Sequence, residues 1–302
     1  MDVDQILAVA HATTFEPPST PVGEATLWPE IRGLIEHGIA NQPRELQKEI
    51  GPSELGTDCV HCLAAKLAGW PERRQPGWLP FIGTCVHERF EHMFEALNTG
   101  EQTDDSLPDG RWRTEHRVTV GRLQGLHGGY DVSGSIDLWD RKTCSTIDWK
   151  IVGNTTVTRV KAHGPSQQYR IQASLYGIGL ENAGEQVLRN CIYFLPRNKT
   201  SLGDALPWET GFDSKPGRWA LARAQLLVNL MDCIEQAAGV DVRDSWIRQL
   251  PAAGPDRCFA CKGRVWPDMP ALPEFDERPW PDVPGKWLDL IPLIEPEYKF
   301  AE

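Results

Sequence analysis

The hydrophobic positions along the chain fall into stretches of two periods. Val86, Phe90, Met93, Phe94 and Leu97 recur at helical spacing in GTCVHERFEHMFEAL, so residues 83–97 are predicted as an amphipathic helix with Thr84 at its N-cap. TLWPEIRGLIEHGIA predicts another helix behind a Pro-rich opening, and residues 166–182 and 215–238 read as two more. RWRTEHRVTV (111–120) alternates as a strand does. YDVSGSIDLWDRKTCSTIDWKIV (130–152) reads as a hairpin of two strands, and NCIYFLP (190–196) as a short apolar strand closed by proline. Helix, strands, helix, strand, helix in that order predict an α/β fold, a mixed central sheet flanked by helices. From residue 266 onward eight prolines alternate with aromatics and acids, which argues against a regular element and for an extended arm that wraps the domain, or a mobile one. The predicted organisation is a helical region over 1–50, a central domain over 51–265 and an acidic Pro/Trp-rich arm over 266–302.

The hairpin carries the sharpest chemistry. With Lys142 and Thr143 as its turn, or with a four-residue loop, Asp140 pairs with Ser145, Trp139 with Thr146 and Leu138 with Ile147. Asp137 then falls opposite Asp148. One face carries Ser135, Asp137, Asp148 and Lys150; the other carries Ile136, Leu138, Ile147, Trp149 and Ile151 and faces the core. Opposed carboxylates repel, with Cβ atoms ~4.5–5.5 Å apart, so removing Asp148 should leave stability unchanged or raise it. Two readings account for the pair. A divalent cation such as Mg²⁺ or Mn²⁺ sits between the carboxylates, or the face simply points at water. Lys150, two residues along, is placed to hold a nucleophilic water or to stabilise charge on a phosphate.

Composition narrows the class. Of 302 residues 40% are hydrophobic and 24% charged, which excludes a wholly disordered or fibrous chain. No apolar stretch approaches the ~18 residues of a membrane span, so no membrane partner is expected. The opening MDVDQILAVA has two Asp and no Lys or Arg, unlike a secretory or transit signal, and a cytoplasmic location is expected. The net charge of −11 by itself disfavours a nucleic-acid partner. The arm holds nine acidic and three basic residues, however, so −6 of that charge lies there and −5 in the first 265 residues. Phosphate binding needs only local positive charge. Arg111, Arg113 and Arg117 precede the hairpin, Arg159, Lys161 and Arg170 follow it, and Arg197 and Lys199 follow the next strand. Tyr169 or Trp112 could stack bases of a single strand.

Eight cysteines occur, four of them in two CxxC pairs, Cys59/Cys62 and Cys258/Cys261. Two such pairs at opposite ends of a domain predict one tetrathiolate centre, and Zn²⁺ and a [4Fe–4S] cluster both accept four thiolates. Cys85, Cys144, Cys191 and Cys233 read as core cysteines, and His61, inside the first pair, as solvent-facing.

Four motifs in order, GTCVH, GSID, Asp148-Trp149-Lys150 and Gln172-Ala-Ser-Leu-Tyr176, make the chain resemble the RecB-like exonucleases of the PD-(D/E)XK superfamily, CRISPR-associated and phage types included. The resemblance covers about residues 53 to 261, with Asp148 where the family often has Glu. It implies a restriction-endonuclease-like core and Mg²⁺- or Mn²⁺-dependent hydrolysis of DNA, single-stranded or at duplex ends, in recombination, repair or phage DNA metabolism. In that reading His87, Asp137, Asp148 and the Trp149 carbonyl bind the metal. Lys150 positions or activates the water, and Gln172 and Tyr176 orient Lys150 or the DNA strand. The resemblance also tips the four cysteines toward a [4Fe–4S] cluster with zinc as the alternative, although the family usually has one early and three late cysteines and CFACKG looks like a zinc knuckle. A second reading is a metal-stapled DNA-binding accessory subunit of a helicase or recombinase that cuts little. A third is a structural CxxC protein with a fortuitous DxK.

Overall fold

The structure is a computed structural model that describes residues 27–41, 50–72, 77–99, 107, 110–253, 258, 260–261, 265–266, 268 and 280–300. Two compact units divide the chain, Met1–Leu46 and Gln47–Glu302. The first contributes helix α1 (Trp28–Ala40), with Pro29 in its first turn and Leu27, Trp28, Ile31, Leu34 and Ile35 exposed. The second contains helices α2 (Pro52–Leu55), α3 (Val60–Leu67), α4 (Trp78–Leu97), α5 (Asn154–His163), α6 (Gln167–Asn182), α7 (Lys215–Ala238), α8 (Val240–Arg248) and α9 (Gly285–Leu288).

These surround a five-stranded sheet of β1 (Trp112–Gly125), β2 (Gly128–Asp140), β3 (Ser145–Val152), β4 (Arg189–Pro196) and β5 (Leu206–Gly211), in that spatial order. Neighbours are antiparallel except β3 and β4, which run parallel. A parallel pair needs a crossover, and α5 and α6 supply it. The chain is therefore α/β, a mixed sheet flanked by helices, as its hydrophobic pattern predicts. Helix α4 begins earlier than the periodicity indicates, after Gly77, because Trp78-Leu79-Pro80 can form a first turn. Thr84 is thus inside the helix, donating its hydroxyl to the Pro80 carbonyl at 3.3 Å, and caps nothing.

The main core lies between the sheet and α3, α6, α7 and α8, with Leu123, Val132, Ile136, Trp139, Leu175, Leu227 and Trp246 all but inaccessible. Gly179 lets α6 settle on β1, since a Cβ there would meet Val118 at 2.5 Å. Beneath α4 a smaller cluster joins Leu138, Ile147 and Cys191 to Phe94, Trp112, Trp149 and Tyr193. Of the four cysteines read as core, only Cys191 is buried; Cys144 is half-buried, and Cys85 and Cys233 are exposed on α4 and α7.

The loop between β2 and β3 is 141–144, with Cys144 in the left-handed region at φ +50°. Buried Asp140 anchors it, accepting from Arg111 Nε (2.8 Å) and Nη2 (2.7 Å), the Lys142 N–H (3.1 Å) and the Thr143 hydroxyl (2.7 Å). Burial pushes this carboxyl up, but Arg111 and Thr143 overcome it and hold it below the ordinary range. Arg111, read as a phosphate contact, is instead committed to this pair. Arg111→Ala leaves a buried carboxylate unpaired and should cost about 3 kcal/mol in denaturant melts at neutral pH. Because the folded carboxyl titrates below its unfolded value, the pair stabilises above about pH 4 and fades as pH falls, so wild type and variant should converge in acid. A variant as stable as wild type at pH 7 would refute the anchor.

Residues 280–300 of the arm pack within the second unit, against its core. Trp287 and Ile294 enter the core, and the Trp246 indole N–H donates to the Trp287 carbonyl at 2.8 Å. Buried Arg223 donates to the carbonyls of Leu55 (2.8 Å), Thr57 (2.6 Å) and Pro296 (2.9 Å). The arm also holds two short regular turns, α9 and a 3₁₀ turn at Ile291–Leu293. Pro284 just precedes the first and Pro292 lies in the first turn of the second, where a missing N–H costs nothing. Among the described residues no helix is long and apolar enough to cross a membrane.

Candidate active site and metal centre

Strands β2 and β3 pair in the anticipated register from Asp140↔Ser145 to Leu138↔Ile147, and the ladder ends there. Asp137 and Asp148 are not the next rung. Instead Asp137 Oδ2 accepts the Trp149 N–H at 2.7 Å. From α4, His87 approaches the backbone of the same residue on its carbonyl side: Nε2 lies 3.2 Å from the Trp149 carbonyl and Nδ1 3.3 Å from Asp137 Oδ1. The Trp149 ring anchors this stretch from the other face, edge-on to Phe90 and stacked on Phe94.

A third residue joins them. Glu115 on β1 brings its carboxylate to His87 and Asp137, and the three ligand atoms lie within 4.8 Å of one another, a group that can hold a metal ion. Its backbone has φ +41°, uncommon for a residue other than glycine. The alternation of RWRTEHRVTV hid this residue, since Glu115 there reads as one more polar position. An acid between Arg113 and Arg117 was the only available signal.

Asp148 lies in a different environment, in the layer between β3 and α6. Its Oδ2 is 2.7 Å from Lys150 Nζ, and its Oδ1 accepts from Gln172 Nε2 at 3.2 Å. Lys150 also donates to Gln172 Oε1 at 3.0 Å and lies 4.8 Å from the Tyr169 ring centre. Gln172 Nε2 reaches Tyr176 Oη at 3.0 Å, one helical turn along α6. Burial pushes the Asp148 carboxyl up to about 6, with Lys150 opposing and Asp137 adding to the rise. Burial works the other way on Lys150, yet the charges of Asp148 and Asp137 hold its ammonium above the usual lysine range. The fold thus gathers Asp148, Lys150, Gln172 and Tyr176 into one chain of polar contacts and His87, Asp137 and Glu115 into another, joined through residues 148–150. Arg113, Arg117, Arg159, Lys161, Arg197 and Lys199 are exposed, while the Arg170 guanidinium stacks 3.5 Å from the Phe300 ring centre.

The paired cysteines meet at the other end of the unit. Cys59 is the residue before α3 and Cys62 lies in its first turn. Their sulfurs approach the second pair closely: Cys59–Cys261 3.6 Å, Cys62–Cys258 3.4 Å and Cys62–Cys261 3.4 Å. The four form a group that can hold a metal ion. Contact with Cys261 drives the Cys258 thiol far below the ordinary range, and contact with Cys258 drives Cys62 far above it. The Trp266 indole N–H donates to Cys62 Sγ at 3.2 Å. His61 is buried rather than solvent-facing, its Nε2 2.8 Å from Asp268 Oδ2, because the opening turn of α3 lies under the segment that carries Trp266 and Asp268. A cavity of about 240 Å³ beside the cysteines is lined by Glu54, Asp58, Cys62, Lys66, Cys258 and Trp266.

No family model matches this sequence, and no curated protein matches it. Among solved structures it is similar to one described as "Crystal structure of SSO0001", at 11% identity over 80% of this chain and 96% of that one, with a TM-score of 0.44. A likeness at that level carries no argument about function.

Proposed function

We propose that the chain is a divalent-metal-dependent deoxyribonuclease acting on single strands or duplex ends, with a structural zinc at its four cysteines. The nuclease reading is carried by the Asp148–Lys150–Gln172–Tyr176 chain beside the His87–Asp137–Glu115 group. A buried lysine held by a carboxylate and an amide, a few ångströms from a set of metal-ligating side chains, has little structural purpose. The donor set of imidazole and carboxylates fits Mn²⁺ or Mg²⁺. A divalent cation there supplies Lewis acidity and lowers the pKa of bound water. Lys150 then holds positive charge where a phosphoryl oxygen becomes more negative, and Gln172 fixes its ammonium through Oε1. The exposed Arg113, Arg117, Arg159 and Lys161 supply local charge for a phosphate backbone. Incubation with end-labelled single- and double-stranded DNA, with Mg²⁺, Mn²⁺ or EDTA, tests the reading. Cleavage that EDTA stops is expected; binding without cleavage in either metal favours the accessory-subunit reading instead.

Zinc is preferred over a four-iron cluster on the sulfur spacing. Four thiolates about 2.3 Å from one tetrahedral ion are about 3.8 Å apart. The sulfurs here contact one another at 3.4–3.6 Å. Thiolates on four separate irons of a cluster are spread well beyond contact. A colourless protein with one zinc per chain is expected, and a brown one would reverse the assignment.

A further inference from the structure

We propose that the end of the arm, Tyr298 to Phe300, is an autoinhibitory strap: the Phe300 ring covers the Arg170 guanidinium, and a DNA strand passing toward Lys150 takes that guanidinium by lifting the ring. The proposal rests on the nuclease reading only for the identity of the competing polyanion.

Charge is unevenly placed around Lys150. Although the net charge is −11, no Asp or Glu occurs from Trp149 to Leu180 or from residue 190 to residue 203. The fold brings these two stretches to one end of the sheet. Strands β3 and β4 run parallel, α5 follows the carboxyl end of β3, and Arg197 and Lys199 follow that of β4. Helix α6 runs back against them. Tyr169 in its first turn meets Phe194 and Lys150 toward the strand ends, while Ala173, further on, accepts from Asn190 at the start of β4 at 3.0 Å. The first turn of α6, with Arg170, therefore stands at the end where Arg159, Lys161 and Arg197 are exposed. Cations drawn from acid-free stretches of an acidic chain fit a polyanion. The carboxyl ends of parallel strands are also where open α/β sheets usually take their ligands.

Arg170 is the covered member of this face. Its guanidinium lies 3.5 Å from the Phe300 ring centre and 5.9 Å from that of Trp208. Among the described residues no carboxylate or carbonyl accepts from it, and burial holds it below the usual arginine range. A half-buried cation without a counter-ion is an unfavourable arrangement that an incoming phosphate relieves, with charge-assisted hydrogen bonds in place of a ring. The strap is held at one place by hydrogen bonds. Gln167 grips it with both ends of its amide, Nε2 donating to the Pro296 carbonyl at 3.0 Å and Oε1 accepting the Tyr298 N–H at 2.7 Å. Past that point Phe300 is seated by stacking, edge-on to Tyr298 at 4.8 Å and over Arg170. A cation–π contact at a half-exposed site is weak enough for a phosphate to displace.

The test is binding of a fluorescein-labelled oligothymidylate to the full-length, zinc-replete protein, followed by anisotropy at several salt concentrations with no Mg²⁺ or Mn²⁺ added. Phe300→Ala should tighten binding by roughly two- to fivefold and steepen the salt dependence by about one ion. Phe300→Trp, a stronger partner for a cation, should weaken binding. Arg170→Ala should stay within about twofold of wild type by itself, yet remove the whole gain of Phe300→Ala in the double variant. Circular dichroism melts check that each variant is folded. If Phe300→Ala does not fold, Phe300→Trp combined with Arg170→Ala decides, since without Arg170 the larger ring has nothing to cover and affinity should equal that of Arg170→Ala. Unchanged or weaker binding in a folded Phe300→Ala, a gain that survives Arg170→Ala, or no binding by any variant overturns the proposal. Cleavage by the wild-type protein is scored separately. Cleavage with DNA affinity indifferent to Phe300 sinks the strap alone; a strap that behaves as described without cleavage in either metal sinks the nuclease reading alone.

Discussion

Cys258→Ser should strip the metal from the four-cysteine centre and abolish most of the cooperative stability of the second unit. Such a centre does not exist in the unfolded chain, so its binding free energy is folding free energy, on the order of 10 kcal/mol for structural zinc. That is comparable to the whole stability of an ordinary domain, roughly 5–15 kcal/mol. The centre also ties this region to α3: Cys258 and Cys261 reach it through their sulfurs, and Trp266 and Asp268 reach Cys62 and His61. Thermal melts by circular dichroism, with zinc content measured on the same samples, provide the check. A strong chelator should reproduce the variant's melt in the wild-type protein. A zinc-free Cys258→Ser that melts with wild type would show that the thiols hold no structural metal.

Lys150→Ala should reduce cleavage by roughly 10²–10³-fold, the usual cost of removing one preorganised charge-stabilising donor. Lys150→Arg should not restore it, since a planar guanidinium cannot occupy the place of a compact ammonium between Asp148 and Gln172. The partner substitution reverses an expectation based on the sequence. If Asp148 chiefly repelled Asp137, Asp148→Ala would leave stability unchanged or raised. Asp148 is instead 2.7 Å from the buried Lys150, so removing it strands an ammonium and should cost about 3 kcal/mol. Denaturant melts of metal-free protein decide between the two, and a stabilised Asp148→Ala would restore the repulsion account.

The elements that repeat a period over many residues were legible in the sequence. The 166–182 and 215–238 patterns became α6 and α7 within a residue, and 190–196 became β4. Helices α5 and α8 and strand β5 were not, because each is short and largely polar, and long-range packing decides its state. The hairpin register was legible because alternation fixes it. Where the ladder stops was not, since that depends on Asp137 taking the Trp149 N–H rather than leaving it to β2. For the same reason His87, Asp137, Asp148, Lys150, Gln172 and Tyr176 could be named as residues, but not how they divide into two groups. Glu115 was invisible because nothing in RTEHRV encodes a positive φ. Arg111 was misread because a basic residue in a strand gives no sign that a buried Asp140 waits across the pairing at the hairpin's end.

The cysteine centre also imposes an order on biosynthesis. Cys59 and Cys261 are 202 positions apart, and the whole sheet lies between them. At ~5–20 residues per second, roughly 10–40 s separate the emergence of the two pairs from the ribosome. During that interval Cys59 and Cys62 are two thiols without their partners, able to grip a metal only weakly and open to oxidation. A chain that stops short of residue 258 never completes the centre. A metal bound at these four thiols would thereby distinguish finished chains from prematurely terminated ones, and soluble yield should then depend on metal supply and reducing conditions in the period before the last cysteine is made.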